Sequence, residues 1–192
     1  MTSGLAKGLE IAEAGYKGLV IWSYDGPFSA GADLQSMMPA FMAGGGKAIA
    51  PFEKQLQDFM LSLRYSNVPT VAAMHGLALG GGCELAVHCA KRVAAMETYV
   101  GLVEVGVGLI PGGGGLAYQA RRAAELLETS KGISGQTPVD LMAYIKEFFQ
   151  ASAMAKVATS GIEARKFGYL LDGDIVVPNK DEILYVAIAQ AK

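Results

Sequence analysis

Two glutamates stand beside blocks of glycine. Gly80 to Gly82 runs into Glu84, and Glu104, twenty residues further on, leads to Gly112 to Gly115. A strand, a glycine turn and a helix N-terminus in succession make an anion site, because free N–H groups and the helix dipole converge on one spot. Three phosphate or nucleophile patterns fail here. Neither glycine block is followed by Lys-Ser or Lys-Thr, so there is no P-loop. Gly106-x-Gly108 continues as Leu109-Ile110-Pro111 and breaks the dinucleotide fingerprint, and no GxSxG exists for a nucleophile elbow. What remains is an oxyanion site, where the anion is an enolate or a tetrahedral oxygen. Two glutamates beside it would suit general acid/base chemistry next to a carbonyl. Taken singly, each has a plainer reading. Glu84 is also what a helix first turn favours electrostatically, and Glu104 is also an ordinary surface acid.

The elements that must hold these residues read as alternating strands and helices. Residues 3–14 form a short helix closed by Gly15, and Gly18 to Ser23 is an apolar run of strand length ended by Asp25-Gly26-Pro27. Phe28 to Asp33 is a small-residue loop whose Asp33 can cap the next helix. Residues 35–50, rich in Met, Ala and Gly, are expected to be loose and adaptable. Phe52, Leu56, Phe59 and Leu63 repeat at helical spacing over 51–65. Val68 to Met74 is a strand ended by His75-Gly76, and Gly80 to Gly82 turns into a helix reaching about Ala90. Arg92 to Met96 and Tyr99 to Val105 are extended, and a helix covers Ala117 to Glu128. Thr137-Pro138 opens a long helix to about Ala158, and Ser160 opens a brief one stopped by Gly168. Asp174 to Val177 is a late strand, and Asn179-x-x-Glu182 is a capping box for the last helix. No internal repeat or low-complexity tail is found, and the fold class is α/β.

Composition narrows the function classes. The chain has 192 residues, 52% hydrophobic and 18% charged, which suits one packed domain and excludes a disordered tail. Its net charge of −2 argues against a nucleic-acid partner, since phosphate-backbone binders carry a basic excess. Cys83 and Cys89 read as buried thiols of a reducing compartment, with only His75 and His88 available as nitrogen ligands, so no metal is expected. The N-terminus lacks the apolar core of a signal peptide. The uncharged stretch from Val105 to Ala120 carries Pro111 and a glycine block, so no membrane span is expected and the protein is placed in the cytoplasm.

Three segments together resemble the crotonase superfamily, and the enoyl-CoA hydratases in particular. They are Phe28-Ser-Ala-Gly-Ala-Asp33, then Ala78-Leu-Gly-Gly-Gly-Cys-Glu-Leu-Ala86, then Glu104 with Ile110-Pro-Gly-Gly-Gly-Gly115. The likeness is close over about residues 16–118 and weaker from Ala153 to Leu184. It implies a crotonase-like fold, a repeated ββα superhelix, here without the N-terminal hairpin and the C-terminal helices of the family. It implies that the N–H groups of Ala32 and Gly81 form an oxyanion hole for a thioester carbonyl. Ala30, Gly31, Asp33 and Gly80 would contact coenzyme A or substrate. Glu84 would deprotonate a water, and Glu104 would handle the proton at C2. The substrate would be an acyl-CoA thioester, with no separate cofactor, because coenzyme A is part of the substrate. Enoyl-CoA isomerase activity and a catalytically silent module remain the alternatives. The stretch Lys91 to Glu104 and the helix from Thr137 resemble the hydratase portion of fused bacterial 3-hydroxyacyl-CoA dehydrogenases. The chain is therefore expected to be one crotonase-like domain, residues 1–192, of a longer protein whose dehydrogenase part lies outside it. A homo-oligomer, trimeric in the family, is expected.

Overall fold

A sheet residue buried on both faces must be apolar and, where helices press close, small. Val71-Ala-Ala73 meets both demands, Thr70 satisfies its hydroxyl by donating to the Leu63 carbonyl and accepting from Ala90 N–H, and every residue from Thr70 to Met74 is buried. The computed structural model describes residues 2–134 and 141–192. In it this segment, β2 (Thr70–Met74), lies inside a parallel sheet with β1 (Leu19–Ile21), β4 (Lys91–Ala95) and β6 (Ile175–Val177), in the order β1-β2-β4-β6. Alternation along the strands sends Val71, Ala73, Val93, Ala95 and Val177 to one face. There they meet Ile183 and Ala187 of the last helix, α7 (Ile183–Gln190). Ala72, Met74 and Ala94 point the other way, into the larger core with Leu63, Leu85 and Leu102.

Each central strand then turns a corner. His75-Gly76 carries β2 into β3 (Leu77–Leu79), and residues 96–98 carry β4 into β5 (Tyr99–Gly101). β3 and β5 pair in parallel as a second layer, and Ser29 joins that layer through a parallel bridge to Ala78. A helix follows each time. α2 (Leu34–Arg64) follows the Ser29 bridge, α3 (Gly81–His88) follows β3, and α4 (Gly115–Ser134) follows β5 after a 3-10 turn at Glu104–Val107. The same strand, corner, strand and helix thus stack three times. This is the ββα superhelix of the crotonase fold, repeated in backbone although no repeat exists in side chains.

Several expectations need correction. The Met-rich residues 35–50 are not loose: they are helical and run with 51–64 as α2, broken only at Gly45 (φ 59, ψ −150). Met, Ala, Lys and Gln are strong helix formers and outweigh the block Gly44 to Gly46, which costs the helix only its break at Gly45. β3 went unread, because three residues after a glycine leave too short a run for a period. The helix expected from Thr137 to about Ala158 is α5 (Leu141–Ala153). Its expected cap at Thr137-Pro138 lies outside the described residues. It ends early because Ala155 takes φ 47, which frees Ala158 to pair antiparallel with Val100. The capping box does not form either. The Asn179 side chain accepts from Asp181 N–H and caps a 3-10 turn, and α7 begins after it. α1 (Thr2–Gly15), the Asp33 cap of α2 and the Ser160 cap of α6 (Gly161–Lys166) are as expected.

One ion pair ties the late part of the chain to the sheet. Asp174 and Arg92 are both 2% exposed in their side chains. Asp174 Oδ1 accepts from Arg92 N–H at 2.9 Å, and Oδ2 accepts from Arg92 Nε and from Leu171 N–H, each at 2.6 Å. Arg165 donates to the Asp174 carbonyl at 2.6 Å. Removing one partner of such a pair leaves a buried charge without compensation. Asp174→Ala is expected to cost about 3–5 kcal/mol, read as a lower urea midpoint at unchanged m-value.

Candidate active site

The site begins where two glycine-bearing segments cross. Gly31 takes φ +100 and its backbone approaches Gly80-Gly81: a Cβ added to Gly31 would lie 3.7 Å from Gly81 N, and one added to Gly81 would lie 4.0 Å from Ala32 N. Gly81 is the first residue of α3 and therefore has no intrahelical acceptor for its N–H. Among the described residues no protein acceptor engages the N–H of Gly81 or of Ala32. Two free N–H groups from different loops thus face the same space. Gly80, the cap of α3, takes φ +53, which a side-chain-bearing residue rarely adopts.

Glu84 sits on the first turn of α3 and is 2% exposed. Its Oε1 accepts from Gly115 N–H at 2.9 Å. A Cβ at Gly113 would come within 2.5 Å of its Oε2, so the Gly112 to Gly115 loop closes directly over the carboxylate. Burial pushes Glu84 up from the usual carboxylate range to about 7. The charges of Glu104 and Glu53 push the same way, while the N–H groups of Gly115 and Gly113 pull back in part. Glu104 opens the 3-10 turn, and its Oε1 lies against Gly80, 3.2 Å from where a Cβ would stand. Both its carboxylate oxygens are sealed from solvent without a well-aligned partner. Burial raises it above the ordinary value, and Glu53 adds to the shift.

Glu53 is the residue that sequence reasoning missed. It lies on α2 one position off the apolar row Phe52, Leu56, Phe59, Leu63. Its Oε1 is buried without a partner and falls where a Cβ of Gly112 would be. One turn later, Gln57 Nε2 donates to the Gly112 carbonyl at 2.8 Å and fixes α2 against the glycine loop. The sequence holds no local signal for it, since an acid one position off an apolar row is ordinary on a helix.

A cavity of about 420 Å³ opens beside the two N–H groups. Gly31, Ala32, Asp33 and Gly81 line it at one end; Leu5, Met37, Leu56, Phe59, Met60 and Leu85 form most of its wall, and Glu53 faces it too. Of the Met-rich segment Ser36 and Met37 take part, whereas Met38 and Met42 are 52% and 77% exposed. Ala30 is exposed and outside this lining, and Asp33 caps α2 by accepting from Ser36 N–H at 3.2 Å. The sequence-predicted residues therefore come together, apart from Ala30, which is exposed and does not line the cavity. Such a site can hold a carbonyl oxygen as charge builds on it and can move protons on one side of the attached chain. Among the described residues, no group of His, Cys, Asp and Glu is arranged to hold a metal ion, and no helix is long and apolar enough to cross a membrane.

Known proteins resemble this chain in sequence and in fold. The model of the enoyl-CoA hydratase/isomerase family matches residues 1–136. A probable 3-hydroxyacyl-CoA dehydrogenase of Bacillus subtilis is 38% identical over 94% of this chain and 22% of its own length. A putative fatty acid oxidation complex trifunctional enzyme of Rickettsia felis is 36% identical over 74% of this chain and 20% of its own. The chain thus spans about a fifth of the length of these relatives. In fold it is similar to the crystal structure of an enoyl-CoA hydratase from Polaromonas sp. JS666, with a TM-score of 0.76 at 23% identity, covering 100% of this chain and 65% of that one. The fold, the match over residues 1–136 and these relatives lead to one conclusion: the chain belongs to the enoyl-CoA hydratase/isomerase family of the crotonase superfamily.

Proposed function

We propose that this chain is an enoyl-CoA hydratase that adds water across a trans-2-enoyl-CoA to give the 3-hydroxyacyl-CoA. The observation that carries the reading is the pairing of two unengaged N–H groups, on Ala32 and Gly81, with the buried Glu84 and the half-buried Glu104, whose carboxylate is sealed from solvent, around one glycine turn. An isomerase needs only one acid/base carboxylate, so the pair favours hydration.

In this mechanism the thioester oxygen sits on the Ala32 and Gly81 N–H groups, with Gly31, Asp33 and Gly80 shaping the backbone around it and Ala30 at the coenzyme A rim. The Glu84 carboxylate takes a proton from water as the water oxygen bonds to C3. The π electrons move to the thioester oxygen, and the resulting enolate is held by the two donors. The enolate then collapses and C2 takes its proton from the Glu104 carboxyl. Glu84 ends protonated and Glu104 ionised, and proton exchange with solvent resets them. The enolate charge needs no separate cofactor, since each backbone donor of this kind contributes about 3–4 kcal/mol in other enzymes. We further place the reaction in fatty-acid β-oxidation, supported by the similarity to the putative fatty acid oxidation complex enzyme of Rickettsia felis. A dehydrogenase part covalently attached outside this chain would follow the pattern of the Bacillus relative. The buried free thiols Cys83 and Cys89 fit a cytoplasmic setting, and a homo-oligomer is part of the same reading.

Loss of the conjugated thioester absorbance with crotonyl-CoA tests the reading, and activity that survives both Glu84→Gln and Glu104→Gln would overturn it. Each substitution is expected to lower kcat by about 10²–10⁴. The Glu84 base must be ionised and the Glu104 acid must keep its proton, so kcat/KM should pass through a maximum with pH, and Glu84→Gln should remove the limb that reports ionisation of Glu84 at about 7. Folding carries the opposite sign. A carboxyl held at about 7 in the native state and 4.5 otherwise favours the fold fully below 4.5, and that contribution disappears as pH rises through 7. Glu84→Gln should therefore raise Tm at pH 8, by an amount corresponding to about 3 kcal/mol, and leave it nearly unchanged at pH 4. Gly113→Ala would drive a methyl group into Glu84 Oε2 and is expected to lower kcat at least about tenfold with a smaller change in KM.

A further inference from the structure

Glu53 has no task in the hydration step, yet it occupies a demanding position. It is set on α2, its neighbour Gln57 is clamped to the Gly112 carbonyl, and its Oε1 is sealed against Gly112 without a hydrogen-bond partner. Gly113, the next residue of that loop, touches Glu84, so Glu53 lies one residue along the loop from the reacting glutamate. It also lines the apolar cavity that starts at Ala32 and Gly81. Among the described residues, no lysine or arginine lines that cavity. The other acid there, Asp33, is engaged at the cap of α2.

An acyl chain anchored by its carbonyl on the Ala32 and Gly81 N–H groups would run along this wall past Glu53. A methyl-ended chain meets Leu56, Phe59 and Met60 there. A chain carrying its own carboxylate meets a second negative charge there, beside an apolar wall and with no cation lining the cavity to offset it, and both charges lose part of their solvation. Resting on the reading of the cavity as an acyl-thioester site, we propose that Glu53 is a specificity-determining residue that excludes acyl-CoA substrates bearing a carboxylate on the acyl chain.

Crotonyl-CoA and glutaconyl-CoA test this, because the second replaces the terminal methyl of the first by CH2-COO⁻. The ratio of their kcat/KM values, crotonyl over glutaconyl, is measured for the wild-type chain, Glu53→Gln and Glu53→Ala. The expected result is a ratio of roughly a hundred or more in the wild type that falls at least tenfold in both variants. A ratio that stays the same, including the case where both substrates slow down equally, overturns the proposal and moves Glu53 to the chemistry itself. The unreactive pair butyryl-CoA and glutaryl-CoA, compared by calorimetry on the same three proteins, gives the same ratio without turnover. If crotonyl-CoA is not hydrated but butyryl-CoA binds, the hydratase reading fails alone, and the affinity ratio still supports or overturns discrimination by Glu53. If the wild type binds neither thioester, both readings fall.

Discussion

Everything in this site depends on burying the Glu84 carboxylate with a backbone N–H as its main partner. At 2% exposure, held by the N–H groups of Gly115 and Gly113 and with no ion pair among the described residues, Glu84 cannot shed its charge to solvent. The glycine loop is the other half of that arrangement. A side chain at Gly113 would occupy the volume of the carboxylate, and one at Gly112 would occupy that of Glu53. Dryness, proximity and proton affinity therefore come from one packing decision, and α2, α3 and the loop before α4 are all recruited to enforce it.

The supporting fold is arranged so that this packing is not negotiable. β2 is buried along its whole length, which fixes the start of the corner at His75-Gly76 and hence the place where α3 begins. The neighbouring strand β4 is anchored by the Arg92–Asp174 pair, whose carboxylate also gathers Leu171 and whose backbone carbonyl receives Arg165. A charge pair of this kind adds little net stability over an apolar replacement, but it tolerates only one geometry. It fixes the position of β6 relative to the strand that feeds the second layer.

Much of this was legible in the sequence wherever a local rule acts alone. The Asp33 and Ser160 caps, the apolar strands β1, β2 and β4, and the turn from Gly80 into α3 follow from side-chain chemistry within a few residues. The pieces that were not legible depend on distant partners. β3 exists because Ser29 and β5 flank it, and α5 stops at Ala153 because Ala158 is claimed by Val100. Asn179 turned to Asp181 rather than joining Glu182 in a box. Glu84 and Glu104 stood out by their glycine neighbours, and the resemblance to a family joined them to Ala32 and Gly81. Glu53 carried no such flag, since nothing in Phe52-Glu53-Lys54 announces that the middle residue meets a loop some sixty positions later.

The break at Gly45 has a consequence for how this chain can vary. Ahead of it α2 is indexed by its Asp33 cap, and behind it by the Gln57 contact to Gly112, so the helix has two independent angular references. Insertions or deletions near Gly45 can be absorbed as a change of direction between the two segments. Between Pro51 and Gln57 they cannot, because each added residue rotates everything before it by about 100° around the helix axis. Length polymorphism among related chains should therefore collect on the side of α2 that ends at Gly45, where the helix works as a hinge-mounted arm, and be absent from the side that works as a fixed dial.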